Sequence, residues 1–364
     1  MAFGTVSTDV IQTSDGLTLG AGNATLIKNK LINGDMRIDQ RNAGASVTPT
    51  SGSYTLDRWN FVLSQTSKLT CQQLSALPPT GFTYYQSITS SSAYSITSSD
   101  YFQVNQIIEG YNIADLGWGT ANAKTVTLSF WVQSSLTGTF GGSLRNYGVT
   151  RSYPFTYTIS SANTWTQISV TIAGDTSGTW LTTNGWGIQV IFGLGCGSSF
   201  SGTAGAWASA NYASATGATS VVGTNGATFY ITGCQLERGS SATGFEYVNY
   251  QTSLANCQRY FQNGITSQSE CIIGGIRTGG SAQFSYPFKV TMRSTPSITL
   301  NTFTVQDLSN GSNYTVTGLA MQNGQTATNN INMSATWSSG GTAGVAANLF
   351  GPSNATGFTF SAEL

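Results

Sequence analysis

The sequence predicts an all-β protein: a β-sandwich or jelly roll, followed by a smaller β domain. Three observations carry that expectation. Apolar and polar residues alternate over short runs, clusters of Gly, Ser, Thr and Asn separate those runs, and a single window, residues 249–262, shows helical spacing. Composition agrees with it. Of 364 residues 43 are glycine, 39% are apolar and 12% aromatic, while only 8% are charged and the formal net charge is zero. The aromatic and β-branched residues supply enough apolar surface to offset ordering entropy, so the low charge marks turns and a polar, uncharged surface rather than disorder. The length accommodates two or three domains of ordinary size.

Residues 1–30 read as an extended arm. The run V-S-T-D-V-I-Q-T-S-D-G-L-T-L-G is turn-rich, has no long amphipathic period and cannot bury a core by itself. Val10, Ile11, Leu17 and Leu19 are its apolar anchors and the candidates for attaching the chain to a larger assembly.

Residues 31–248 carry the densest strand signals. In Thr125–Val132, Val126, Leu128, Phe130 and Val132 point one way, and Thr127, Ser129 and Trp131 the other. Ile168, Val170 and Ile172 repeat the pattern, as do Trp186, Ile188, Val190, Phe192 and Leu194. Turn clusters such as Thr137–Gly142 and Asp175–Gly178 lie between them. In Phe229–Leu236 the phase slips, since Phe229 and Ile231 share one parity and Cys234 and Leu236 the other; a bulge near Gly233 accounts for it.

Residues 249–263 form the expected helical linker, with Leu254, Cys257 or Gln258, and Phe261 at helix spacing. An isolated helix of that length is marginal in water and requires packing. Residues 264–364 return to alternation, in Phe284, Tyr286, Phe288, Val290 and Met292 and again in Ile331, Met333, Ala335 and Trp337, which predicts a small C-terminal β domain.

Two stretches carry a resemblance. The first reads L-I-N-G-D-M-R-I-D-Q-R-N-A-G and ends in Y-T-L-D-R-W; the second reads F-Y-I-T-G-C-Q-L-E-R-G, then F-E-Y, then C-Q-R-Y-F. Together, over residues 31–261, they resemble the opening and closing strands of a carbohydrate-binding-module-like jelly roll found in phage tail-fibre and receptor-binding proteins. The run F-K-V-T-M-R-S-T-P-S at Phe288–Ser297 resembles the units that follow such jelly rolls in tail proteins. The resemblance implies a virion protein of the tail, made in the host cytoplasm and assembled as a homotrimer. Its partners would be a tail or other structural protein, met through the N-terminal arm, and a host surface polysaccharide.

Several kinds of chemistry are missing. The chain has no histidine, which removes Ser-His-Asp and Cys-His catalysis in their usual forms and the commonest zinc ligand. Cys71, Cys196, Cys234, Cys257 and Cys271 are odd in number, widely spaced and without a C-x-x-C pair, so neither a disulfide framework nor a thiolate metal site is expected. G-A-G-N-A-T at Gly20–Thr25 lacks the pattern of a phosphate loop. No D-x-D-x-D cluster is present, and no metal or other cofactor is assigned. A neutral chain offers no footprint for a nucleic acid. No apolar run reaches the length of a transmembrane helix, and the start M-A-F-G-T-V-S-T-D has neither region of a signal peptide.

Glycan cleavage needs only two carboxylates. The candidates are Asp39, Asp57, Asp100, Glu109, Asp115, Asp175, Glu237, Glu246 and Glu270; Asp39 and Asp57 lie near Arg37, Arg41 and Arg58, and Glu237 beside Arg238, which suits structural pairing instead. No catalytic residue is assigned. Neutral glycans are held by aromatic faces and directional hydrogen bonds, and the candidates for that work are Trp131, Trp207, Tyr212, Tyr314 and Trp337. Each also has a packing role open to it. Trp131 can lie beneath a covering loop, Trp207 and Tyr212 can anchor the long 197–226 stretch, and Trp337 alternates with core residues. The adhesive reading stands beside three others: a structural head-fibre, decoration or baseplate protein; a glycan depolymerase; and a bacterial protein from a prophage or a phage-derived injection device, which sequence does not separate from a phage gene.

Overall fold

The structure, a computed structural model, describes residues 10–12, 18–20, 28–264, 270–300, 303–351 and 358–364. Within the arm, β1 (Val10–Gln12) and β2 (Thr18–Gly20) pair antiparallel. They hold Val10, Ile11 and Leu19, whereas Leu17 lies outside the described residues. The chain divides into two compact units, residues 1–249 with Leu364, and Tyr250–Glu363.

The first unit is a jelly-roll sandwich. Its strands are β3 (Tyr54–Leu56), β4 (Trp59–Leu63), β5 (Leu69–Leu74), β6 (Tyr85–Ser90), β7 (Tyr101–Glu109) and β8 (Val126–Ser134). After them come β9 (Gly138–Asn146), β10 (Ser152–Ile159), β11 (Thr166–Ile172) and β12 (Trp186–Cys196). Two short strands, β13 (Ser201–Gly202) and β14 (Ser214–Ala215), and the long β15 (Thr228–Arg238) complete the unit. One sheet runs β10-β9-β12-β7-β4-β3 and the other β11-β8-β15-β6-β5, every pairing antiparallel. The core lies between them. Phe130 of β8 meets Phe192 of β12 with ring centroids 4.9 Å apart, and Phe140 of β9 meets Phe229 of β15 at 6.1 Å. Val126, Leu128, Phe130 and Val132 are fully buried, as their alternation predicts.

The two sequence stretches that carry the resemblance are neighbours in space. Gly34 accepts a hydrogen bond from the Cys234 N–H at 2.9 Å, Lys30 donates to the Leu236 carbonyl at 2.8 Å, and Asn29 Nδ2 donates to the Cys234 carbonyl at 3.0 Å. Asn33 makes the turn possible. Its side chain donates to the carbonyls of Ile38 and Asp57 at 2.9 and 3.0 Å, and its own carbonyl takes the indole N–H of Trp59 at 3.0 Å. These bonds tie the entering chain to the closing strand and satisfy backbone groups that have no ladder partner.

The second unit opens with α1 (Tyr250–Gln258) and β16 (Phe261–Asn263). The helix is shorter than the window that predicts it, because Phe261 already pairs with Ser361 in a strand. Then follow β17 (Cys271–Thr278), β18 (Ser281–Pro287), β19 (Ser297–Leu300), β20 (Thr304–Asp307) and β21 (Asn313–Thr315). The last strands are β22 (Gly318–Thr326), β23 (Asn330–Thr336), β24 (Ala346–Phe350) and β25 (Phe358–Ser361). They form a three-stranded sheet, β16-β25-β19, and a seven-stranded one, β21-β20-β24-β17-β18-β23-β22. Phe284, Met333, Ala335, Phe358 and Phe360 pack its core. The cysteines are free thiols, with Cys71, Cys234 and Cys257 buried. Among the described residues no helix is long and apolar enough to cross a membrane.

Candidate ligand-binding face

The outer face of the five-stranded sheet carries a platform of aromatic rings, and the bulge in β15 shapes it. Register with β8 shifts between Thr232 and Gln235, and Gly233 takes a positive φ of 62°. A β-carbon at Gly233 would stand 2.7 Å from Phe82 Cζ and 3.0 Å from Trp131 Cδ1. The missing side chain is therefore what lets Phe82 and Trp131 close over the bulge. Trp131 lies opposite Thr232 in β15 and Gln167 in β11, half-buried, on the side of β8 away from the core.

Two groups of rings extend from there. Phe82, Phe245 and Tyr247 form a triangle, with centroids 5.1 Å apart for Phe82–Phe245 and Phe245–Tyr247 and 5.7 Å for Phe82–Tyr247. Tyr85 packs at 5.1 Å on Tyr230 and edge-on at 5.3 Å on Trp165. The Trp165 indole donates to the Leu77 carbonyl at 3.0 Å and the Tyr85 hydroxyl to the Ala76 carbonyl at 2.9 Å, so both rings pin the 75–81 loop. At the rim Leu77 is 89% exposed and Tyr247 61%. Gln133 and Gln167 lie among the rings as half-buried and exposed amides. Burial pushes the Tyr85 and Tyr247 phenols up, assisted by Tyr230 and Asp35 respectively, so both remain neutral hydroxyls. Chemically the surface offers ring faces for C–H stacking and amides for directional bonds, with Asp35 near enough to Tyr247 to act on its phenol.

The other aromatic candidates lie elsewhere. Trp207 sits in a cage of rings, 5.4 Å from both Trp118 and Trp180 and 5.2 Å from Tyr153, and its indole donates to the Ala173 carbonyl at 2.7 Å. Tyr212 covers Gly202, where an added β-carbon would lie 2.2 Å from the ring. Both anchor the excursion between β12 and β15 to the sandwich. In the second unit Tyr314 stacks on Trp337 at 5.3 Å and 15°, and the buried Trp337 donates its indole N–H to the Gly340 carbonyl at 3.0 Å. Alternation alone identified the face of Trp131. Its neighbours Phe82, Trp165, Phe245 and Tyr247 come from loops, which have no periodicity to read; only the quoted F-E-Y, which contains Phe245 and Tyr247, hinted at them.

Five of the candidate carboxylates hold loops or chain ends in place. Asp39 accepts the N–H groups of Asn42 at 2.9 Å and Gly44 at 2.8 Å, and Asp57 accepts that of Gln40 at 2.7 Å. Asp175 takes a two-pronged grip from Arg151 at 2.7 and 2.8 Å. Glu246 receives the N–H groups of Lys28 and Asn29 at 2.9 and 2.7 Å. Glu237 bonds Thr243, through N at 2.8 Å and Oγ1 at 2.7 Å, rather than Arg238, because consecutive strand residues point to opposite faces. Among the described residues no three His, Cys, Asp or Glu side chains gather as a metal site.

No protein-family model matches the chain, and no curated protein matches it. Solved structures similar to it include the enzymatically active domain of tailspike protein 4 of bacteriophage CBA120, at 13% identity and a TM-score of 0.33 over 59% of this chain. The match spans only 22% of that tailspike chain. The module TmCBM61, solved in complex with β-1,4-galactotriose, is similar at 12% identity and a TM-score of 0.30, over 58% of this chain and 99% of its own. The family 11 carbohydrate-binding module of a Clostridium thermocellum cellulase is similar at 10% identity and a TM-score of 0.26, over 56% of this chain and 97% of its own. Likeness at this level transfers no ligand and no activity.

Proposed function

We propose that this chain is a phage tail-fibre or receptor-binding protein that attaches the virion to a host cell-surface glycan without cleaving it. The observation that carries the reading is the aromatic platform around Trp131. Rings left half-buried on a sheet face and interleaved with amides suit the apolar faces and hydroxyls of a neutral sugar chain. The sequence resemblance adds the virion setting: residues 1–30 as the arm that binds a tail protein, residues 31–248 as the adhesive jelly roll, 249–263 as a helical linker and 264–364 as a terminal β domain. Assembly as a homotrimer would multiply weak single sites into firm attachment.

Retention of the purified, labelled protein on envelope polysaccharide from candidate hosts, with glycan chain length followed over time, tests this. Retention with intact glycan is the expected result. Shortening of the glycan would make the chain a depolymerase. Absence of retention on the true host's glycans would overturn adhesion and favour a structural virion part.

A further inference from the structure

The outer face of the six-stranded sheet is buried, although polar side chains line it. Asn60 on β4, Gln103 and Asn105 on β7, Gln189 on β12 and Arg145 on β9 stand in antiphase to the core residues Phe61, Val104, Val190 and Leu144, and every one is at most 6% exposed. A relay crosses this face. Arg145 donates to Gln189 Oε1 through Nε at 3.0 Å and Nη2 at 2.7 Å, and Gln189 Nε2 donates to Asn105 Oδ1 at 2.7 Å. The excursion after β12 forms a roof: Phe200 meets Tyr101 edge-on at 4.9 Å, Asn211 Oδ1 accepts from Arg145 Nη1, and a β-carbon on Gly141 would lie 2.4 Å from Ser214 Oγ. Asn211, Tyr212 and Val62 are half-buried at its border.

Two groups on this floor lack their complement. Among the described residues the Arg145 guanidinium meets only amide oxygens and no carboxylate, whereas buried charges in proteins are ordinarily paired. Burial lowers its pKa to about 10, so it stays ionised at neutral pH, and the relay through Gln189 to Asn105 links it to β7, the strand that carries Gln103. In addition, Asn60 Oδ1 and Gln103 Oε1 are buried acceptors that receive no hydrogen bond. A chloride ion would satisfy the arginine and leave both amide oxygens bare. An acidic sugar supplies both an anion and hydroxyl donors.

We propose that this roofed face is a second ligand site that takes an acidic sugar, its carboxylate pairing with Arg145 and its hydroxyls donating to Asn60 Oδ1 and Gln103 Oε1. The choice of a sugar rests on the glycan reading above; the call for an anion rests on Arg145 alone.

Calorimetric titration of the intact chain with sodium glucuronate, glucose and sodium acetate tests it, in the wild type and in Arg145→Gln, Gln103→Leu and Trp131→Ala. Glucuronate is expected to bind about tenfold or more tighter than glucose or acetate, and Arg145→Gln to remove that margin. Gln103→Leu is expected to weaken glucuronate about threefold to tenfold while melting at or above the wild-type temperature, since it deletes an unmet acceptor. It keeps the test alive if Arg145→Gln fails to fold. Trp131→Ala, on the opposite sheet, should leave glucuronate binding intact, so failure of the aromatic platform and failure of this site are separable. Equal binding of glucose, equal binding of acetate, or no glucuronate binding by the wild type would each overturn the proposal.

Discussion

Gly34 and Cys234 join the entry of the jelly roll to its closing strand at backbone distance: the Gly34 carbonyl accepts the Cys234 N–H at 2.9 Å, and a β-carbon on Gly34 would stand 2.1 Å from the Cys234 carbonyl oxygen. No L side chain fits there without moving the entering turn or β15. The glycine of the L-I-N-G-D-M-R stretch is thus explained by contact rather than by an unusual φ. Gly34→Ala is expected to destabilise the sandwich by about 2–4 kcal/mol, the range of overpacking against atoms that cannot yield. Equilibrium unfolding in urea measures it, and a loss below about 0.5 kcal/mol would contradict the contact.

Under the proposed function the tryptophans separate into binding and packing roles. Trp207→Ala empties a cage of three other rings and is expected to cost about 3 kcal/mol of stability. Trp131→Ala and Trp165→Ala, at rings on the outer sheet face with fewer ring neighbours, should cost less stability and reduce glycan retention about tenfold, as loss of a stacking surface of roughly 1–1.5 kcal/mol would. Thermal melts beside retention assays distinguish the two classes. A Trp207 variant that melts normally but loses retention would reverse the assignment.

In the second unit the Tyr314–Trp337 stack is expected to be energetically coupled. A double-mutant cycle to alanine should return an interaction energy of about 0.5–1.5 kcal/mol. Strict additivity would mean that the two rings merely adjoin.

Asp100 gives a defined acid limit. Burial pushes its carboxyl up, but hydrogen bonds from Thr97 N, Thr97 Oγ1, Ser64 and Tyr94 outweigh this and hold its pKa at about 2. A depressed folded-state pKa contributes stability that is present above the unfolded value near 3.8 and lost as pH falls toward about 2. Asp100→Asn should therefore flatten the fall in stability across that window. An unchanged acid profile would mean that other carboxylates govern it.

The all-β architecture and the bulge were legible in the sequence for one reason: both are matters of parity. Val126 to Val132 alternate because one face is core, and the slip between Ile231 and Cys234 is the bulge seen as a change of phase. Parity also places Trp131 on an outer face, but it says nothing of what loops bring to that face, and Phe82, Trp165 and Tyr247 arrive from loops. It failed differently on β7 and β12. Gln103, Asn105 and Gln189 alternate with core residues like any solvated strand, and only the roof formed by the chain after β12 turns that polar face into a buried floor. The expected Glu237–Arg238 pairing gave way to Thr243 for the same geometric reason that makes parity informative.

The most direct measurement is the affinity of the assembled protein for polysaccharide of its own host, compared between wild type and the Trp131→Ala, Trp165→Ala double variant. Binding without shortening of the glycan is expected, with a loss of about tenfold or more in the double variant, whose melting temperature stays near that of the wild type. Undiminished affinity in a folded double variant would contradict the aromatic platform as the adhesive surface.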